Sequence, residues 1–108
     1  RKHLEQEIRN RSSQIVYAKK QEGLRKGNGR LLCECCDCDF VEKYGQLGKG
    51  FIECHHRIFL SEGERITSLE NLALVCSNCH RMLHRRNSIN KHYSVEELRD
   101  IIKNKTVA

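Results

Sequence analysis

The sequence predicts a small α+β domain stapled by bound metal. Three observations predict it. The seven cysteines, an odd number, include two Cys-x-x-Cys knuckles, Cys33/Cys36 and Cys76/Cys79. Two short apolar runs adjoin cysteines, Phe51-Ile52-Glu53-Cys54-His55-His56 and Leu72-Ala73-Leu74-Val75, and read as strands. Helical patterning marks both ends of the chain. At 108 residues, 38% hydrophobic and without Trp or Pro, the chain is one domain's worth of material, and its lean core calls for a staple.

Taken in order, Leu4, Ile8, Ile15 and Val16 fall at helical spacing and predict a helix over roughly residues 3–22. Gly23 and then Gly27-Asn28-Gly29 end it in a loop, because these residues tolerate positive φ. From Leu31 a new unit begins, so residues 1–30 read as a basic helical extension and 31–108 as the domain proper. Residues 33–50 carry the first knuckle and Gly45, Gly48 and Gly50, and read as a metal-organised turn and loop. The strand at 51–56 follows, then a loop over 61–71, then the buried strand at 72–75 entering the second knuckle. Ser77 is placed to cap a helix over about 78–86, and Ser94 with Glu97 forms a capping box for a helix over about 95–104. Val95, Leu98, Ile101 and Ile102 give that last helix one apolar face.

Charge is distributed unevenly. Residues 1–30 hold nine Lys and Arg against three Glu, whereas residues 31–108 hold eleven charges of each sign. A basic arm on a neutral body is the asymmetry of a protein that meets polyanions, nucleic acid above all. No apolar run approaches a membrane span, and the opening Arg1-Lys2-His3 is unlike a secretory signal. Membrane partners are therefore not expected, and unpaired cysteines in this pattern fit a reducing, cytoplasmic compartment. The first residue is Arg rather than Met, which leaves room for further chain on that side.

Two constellations carry chemistry. Two knuckles separated by 39 residues can hold one tetrahedral Zn²⁺, since a two-residue spacer lets both sulfurs of a knuckle reach the same ion. Cys35-x-x-Cys38 is an equally valid first knuckle by spacing; Cys54 and whichever pair is not used are small packing residues. The second constellation is His55-His56, Asn71, His80 and His84. His80 and His84 are four apart on an expected helix, so their imidazoles share a face. Adjacent histidines on a strand point to opposite faces, so His55 and His56 divide the work, one ligating metal and the other free to take a proton.

At these residues the sequence resembles the HNH endonuclease family, the ββα-metal nucleases built on a treble-clef-like zinc scaffold. The resemblance runs from Cys33-x-x-Cys36 and Asp39-Phe40, through Gly48-Lys49-Gly50-Phe51-Ile52-Glu53-x-His55-His56 and Leu69-Glu70-Asn71-Leu72, to Val75-Cys76-Ser77-Asn78-Cys79-His80-Arg81-x-x-His84. The placing of Asp39-Phe40 selects Cys33/Cys36 over the other register. The three name-giving positions of the family fall on His56, Asn71 and His80. The basic extension is similar to those preceding such domains in bacterial restriction-type nucleases.

The resemblance implies a metal-dependent DNA endonuclease of a restriction, defence or mobile-element setting. It implies a structural Zn²⁺ on Cys33, Cys36, Cys76 and Cys79, and a catalytic divalent ion, Mg²⁺, Mn²⁺, Ni²⁺ or Zn²⁺, on His55, His80 and His84. His56 is then the general base, Asn71 orients it through hydrogen bonds in the intervening loop, and Glu53 hydrogen-bonds a ligating histidine. Arg57, Arg81, Arg85 and Arg86 around the histidines, with Arg9, Arg11, Lys19 and Lys20 of the arm, are the expected phosphate contacts. The alternative is a zinc-stabilised nucleic-acid-binding module without turnover, which leaves the histidines unexplained. The sequence leaves the oligomeric state open, a homodimer included.

Overall fold

The computed structural model describes residues 2–58 and 68–105. Its elements are α1 (Lys2–Lys26), α2 (Phe40–Tyr44), β1 (Glu53–His56), β2 (Leu72–Val75), α3 (Ser77–Leu83) and α4 (Val95–Asn104), with single 3₁₀ turns at Gly45–Gly48 and Leu69–Asn71. This is the α+β domain expected, with one antiparallel two-stranded sheet and α3 leaving directly from β2. The loop expected over 61–71 lies outside the described residues as far as residue 67.

The helix at the N-terminus is longer than its sequence suggests, because Gly23 does not stop it. A Cβ on Gly23 would come within 2.5 Å of Leu74 Cδ1 and 3.1 Å of Leu31 Cδ2. The glycine is there so that α1 can lie close against β2, and tertiary packing overrides its weak helix propensity. The stop comes at Gly27-Asn28-Gly29, where Asn28 and Gly29 take φ of 53° and 89°, and the Gly29 N–H closes onto the Leu24 carbonyl at 2.7 Å. At 25 residues α1 is about 37 Å long, and only its C-terminal half is covered. Leu4 and Tyr17 are exposed, Ile15 and Val16 are half-buried, and Lys19 is buried, its ammonium on Glu22 at 2.9 Å.

In the stretch read as turn and loop, Asp39 starts a short helix. Its carboxylate accepts from the N–H groups of Val41 and Glu42 and caps α2. Asp39 also receives Arg30 at 2.9 Å, and Arg30 reaches Glu42 at 2.8 Å, which fastens the chain beyond α1 to α2.

The sheet is short but determinate. Glu53 opposes Val75, Cys54 opposes Leu74, His55 opposes Ala73 and His56 opposes Leu72. All four residues of β2 are buried. The first knuckle is clipped to it through Glu34, whose N–H donates to the Leu74 carbonyl at 2.8 Å and whose carboxylate accepts from the Leu74 N–H at 2.6 Å. Since β2 runs straight into Cys76, this pair of bonds brings the two knuckles together.

The helix after β2 begins one residue earlier than expected. Cys76, not Ser77, is its cap, the sulfur accepting from the Cys79 N–H at 3.4 Å. The capping box at α4 forms as expected, with Ser94 Oγ and the Glu97 carboxylate exchanging hydrogen bonds with each other's backbone N–H. Val95 and Leu98 then pack into a core whose other buried members include Cys33, Cys35, Cys76 and Cys79. Cysteines share this core with Ala73, Val75 and Leu83, so the four knuckle cysteines lie in or against the hydrophobic centre. Arg99 binds α4 to the first knuckle, with a bidentate pair to Asp37 at 3.0 Å and a bond to the Glu34 carbonyl at 2.9 Å.

Candidate functional site

Cys33, Cys36, Cys76 and Cys79 bring their sulfurs within 4.8 Å of one another. Cys36 Sγ and Cys76 Sγ are 3.8 Å apart, which equals the edge of a sulfur tetrahedron around zinc, about 3.8 Å for Zn–S bonds of about 2.3 Å. Of the two registers left open by spacing, Cys33 and Cys36 join this four-sulfur group, and Cys35 and Cys38 lie outside it. Cys33 is pulled down to about 4 by the Cys35 thiol and, against burial, by the backbone N–H groups of Cys76, Cys36 and Cys35. Burial pushes Cys36 up to about 11, and burial likewise raises Cys79. Sulfurs this crowded cannot all ionise without a cation among them, so the donor set fits Zn²⁺.

The second group is His55, His80 and His84, with ligating nitrogens again within 4.8 Å of one another. The ring centroids are 5.3 Å apart for His55–His80, 5.3 Å for His55–His84 and 5.1 Å for His80–His84. β1 supplies His55, which faces inward at 4% exposure above the small Ala73, while His56 lies on the other face and is half-buried. α3 supplies His80, and the residue that ends it, His84, is its C-cap. Burial, reinforced by His80, His84, His56 and Arg57, depresses His55 to about 4, and burial beside His80 and His92 lowers His84. Both are therefore neutral at pH 7, the state a metal ligand requires.

Glu53 lies on the same face of β1 as His55 and places a carboxylate oxygen 2.7 Å from His80 Nδ1. An imidazole that donates Nδ1–H to such a carboxylate presents the lone pair of Nε2 to a metal. Asn71 bonds to both sides of the Ile58 backbone, its Oδ1 accepting from the Ile58 N–H at 2.8 Å and its Nδ2 donating to the Ile58 carbonyl at 2.9 Å. The Asn71 carbonyl also accepts from the Arg57 N–H at 2.7 Å. The segment that leaves His56 is thereby held across the hairpin.

The basic residues divide into two groups. Arg81 and Arg85 are exposed on and just after α3, and Arg86 is exposed with its guanidinium on the Asn90 carbonyl at 3.0 Å. Arg57 instead bridges Glu34 at 2.7 Å and Glu96 at 3.0 Å. Along α1, Arg9 is exposed, Lys19 is held by Glu22, and Lys20 donates to the Gly50 carbonyl at 2.8 Å; the side chain of Arg11 lies outside the described ones.

One histidine was not singled out from the sequence. His92 lies across an isolated antiparallel bridge from Arg86, and its ring centroid is 5.8 Å from that of His84. The turn between them is built by Asn87, whose carboxamide oxygen accepts from Ile89 and Lys91, and by Asn90 at φ 62°. Those two asparagines, three apart, were the available signal for a turn that returns the chain to the metal-binding face.

Among known proteins, the model of the HNH endonuclease family matches residues 33–86, half of the chain and all of both candidate metal groups. No curated protein and no solved structure matches it.

Proposed function

The chain belongs to the HNH endonuclease family, and from that premise we propose that it is a metal-dependent DNA endonuclease that hydrolyses phosphodiester bonds with one catalytic divalent ion. The convergence of His55, His80 and His84 on one point, with His56 next in sequence but on the opposite strand face, carries the reading. A purely binding zinc module has no use for three converging imidazoles.

In this reading the thiolates of Cys33, Cys36, Cys76 and Cys79 hold a structural zinc ion, and His55, His80 and His84 hold the catalytic ion, which can be Mg²⁺, Mn²⁺, Ni²⁺ or Zn²⁺. When bound, that ion supplies polarisation of the scissile phosphate and charge stabilisation at the departing 3′ oxygen. His56 takes the proton of the attacking water. Asn71, by clamping the backbone at Ile58, keeps the strand end that carries His56 in register. Glu53 fixes the ring orientation and tautomer of His80. Arg81, Arg85 and Arg86 attract the phosphate backbone beside the histidines, and α1 adds Arg9, Arg11 and Lys20. Lys19 and Arg57 reach phosphate only by giving up their present carboxylate partners.

No helix among the described residues is long and apolar enough to cross a membrane. A cytoplasmic setting is proposed on the seven cysteines, all free thiols, and a bacterial restriction or mobile-element role on the basic helix ahead of the domain.

Supercoiled plasmid incubated with the zinc-loaded protein should be nicked or linearised when Mg²⁺, Mn²⁺ or Ni²⁺ is added. His56→Ala should lower the rate by roughly 10²- to 10⁴-fold with an unchanged circular dichroism spectrum. Plasmid left intact with every ion, or cleaved equally by the variant, would remove the activity or the base respectively.

A further inference from the structure

A cleft of about 510 Å³ opens between the C-terminal half of α1, the α2 segment and the chain leading into β1. That volume is within the roughly 300–1,000 Å³ of small-molecule pockets. Its walls are aromatic and aliphatic. Phe40 and Phe51 meet edge to face at 5.2 Å, and Tyr17 and Leu24 face them from α1. Phe51 and Tyr17 stay 59% and 66% exposed, so their ring surfaces are offered to something outside the fold rather than spent in the core. The cleft is a built feature: Lys20 donates to the Gly50 carbonyl at 2.8 Å and ties its two sides together, and Gly48 lies so close to the Phe40 backbone that a Cβ there would collide with it.

The charge around the cleft narrows the occupant. Three basic side chains, Lys20, Arg30 and Lys49, line it against a single acid, Asp39, which already serves Arg30 and the α2 cap. Lys49 is exposed and makes no ion pair among the described residues. The other large groove of the molecule, beneath α1, is lined by four cations against four carboxylates and is electrostatically balanced. An aromatic slot with a positive rim matches a flat base attached to a phosphate, because bases stack on aromatic faces whatever their identity while lysines track the backbone. Phe51 is four residues before His55, at most about 14 Å of extended chain from the proposed reaction centre.

We propose that this cleft binds one unpaired nucleobase of the substrate strand, stacked on Phe51 and Tyr17, with Lys49 on its adjacent phosphate. The inference rests on the endonuclease reading and adds a nucleotide subsite to it. It also predicts a preference for DNA in which a base near the cut is already unstacked, as in a single strand, a bulge or a mismatch, because extruding a paired base costs a few kcal/mol.

The test uses a short oligonucleotide carrying 2-aminopurine, whose fluorescence falls on stacking, either single-stranded or in a one-base bulge. It is titrated with the zinc-loaded full chain without added divalent ion, alongside plasmid cleavage with the ion. Binding should quench the fluorescence of the unpaired base further and leave the already low fluorescence of the same base in a perfect duplex unchanged. Phe51→Ala and Tyr17→Ala, both at exposed positions, should each weaken single-strand binding by roughly tenfold. Phe51→Leu, which keeps the apolar bulk but not the aromatic face, should fail to restore the quench. Wild-type protein that cleaves plasmid but gives no quench, or variants that bind the oligonucleotide as wild type does, would overturn the subsite and leave the endonuclease reading standing. A Phe51→Ala effect confined to self-association at unchanged oligonucleotide affinity would assign the cleft to a second copy of the chain and overturn it equally.

Discussion

The carboxylate of Glu53 lies 2.7 Å from Nδ1 of His80, joining the first residue of β1 to the middle of α3 across the sheet edge. The contact is possible because His80 sits on the face of α3 that packs against β1, and because strand alternation gives Glu53 and His55 a common side. A carboxylate placed there orients the imidazole.

Glu53→Gln should therefore weaken Ni²⁺ or Mn²⁺ binding at the histidine site by roughly 10- to 100-fold. Zinc content and melting temperature should hardly change, since Glu53 is outside the core. Isothermal titration of the zinc-loaded variant measures this directly; unaltered affinity would leave Glu53 a surface residue that happens to touch His80.

Substituting Cys76 should act on the whole fold. Its sulfur belongs to the four-sulfur group and also caps α3, and a structural zinc site contributes about 10 kcal/mol or more of apparent binding free energy. Cys76→Ala should abolish cooperative unfolding and release zinc, whereas Cys54→Ala, outside the group, should cost about 1 kcal/mol. Thermal melts with a colorimetric zinc assay separate the two, and a Cys76→Ala protein that melts normally would refute the staple.

Acidification should destabilise the protein through His55. Its folded pKa of about 4 lies below the unfolded imidazole value, so on acidification the unfolded chain takes up the proton first. The stabilisation is complete above about pH 6.5 and is lost progressively toward pH 4, up to about 3 kcal/mol in all. Unfolding free energies of the chain and of His55→Gln, measured across that window without added divalent ion, should converge as the pH falls. Parallel curves would mean that His55 is not held neutral by burial.

Truncation of the basic arm is constrained by how α1 packs. Gly23 against Leu74 and buried Lys19 tie the C-terminal half of α1 to the domain, so deletion of residues 1–30 should unfold the protein, while deletion of 1–14 should not. The shorter deletion removes four basic residues and two Glu. It should weaken binding to all DNA sequences alike and flatten the slope of log K against log salt by about 0.9 for each phosphate that the removed side chains had neutralised. A folded truncation with an unchanged slope would mean that this part of the helix does not touch the phosphate backbone.

What depends on neighbours along the chain is legible before any folding is considered. The Ser94/Glu97 capping box, β2 as an unbroken apolar run, the opposite faces of His55 and His56, and the shared face of His80 and His84 all follow from spacing and propensity within a few residues. The three-dimensional arrangement decided what depends on residues brought together from afar. Gly23 looks like a helix terminator until Leu74 is seen pressing on it. Asp39 begins a helix where glycines suggested only loop, since its carboxylate is held between Arg30 and the α2 backbone. Cys33 and Cys36, rather than Cys35 and Cys38, fall into one four-sulfur group with Cys76 and Cys79 once Glu34 pairs with Leu74 and brings the first knuckle to the second. His92, eight residues beyond His84, joins the histidine face only because an asparagine-built turn folds it back. Local backbone preferences extend over a turn of helix or a strand pair; packing, charge pairing and metal geometry act between segments tens of residues apart, and only the folded chain sets those distances.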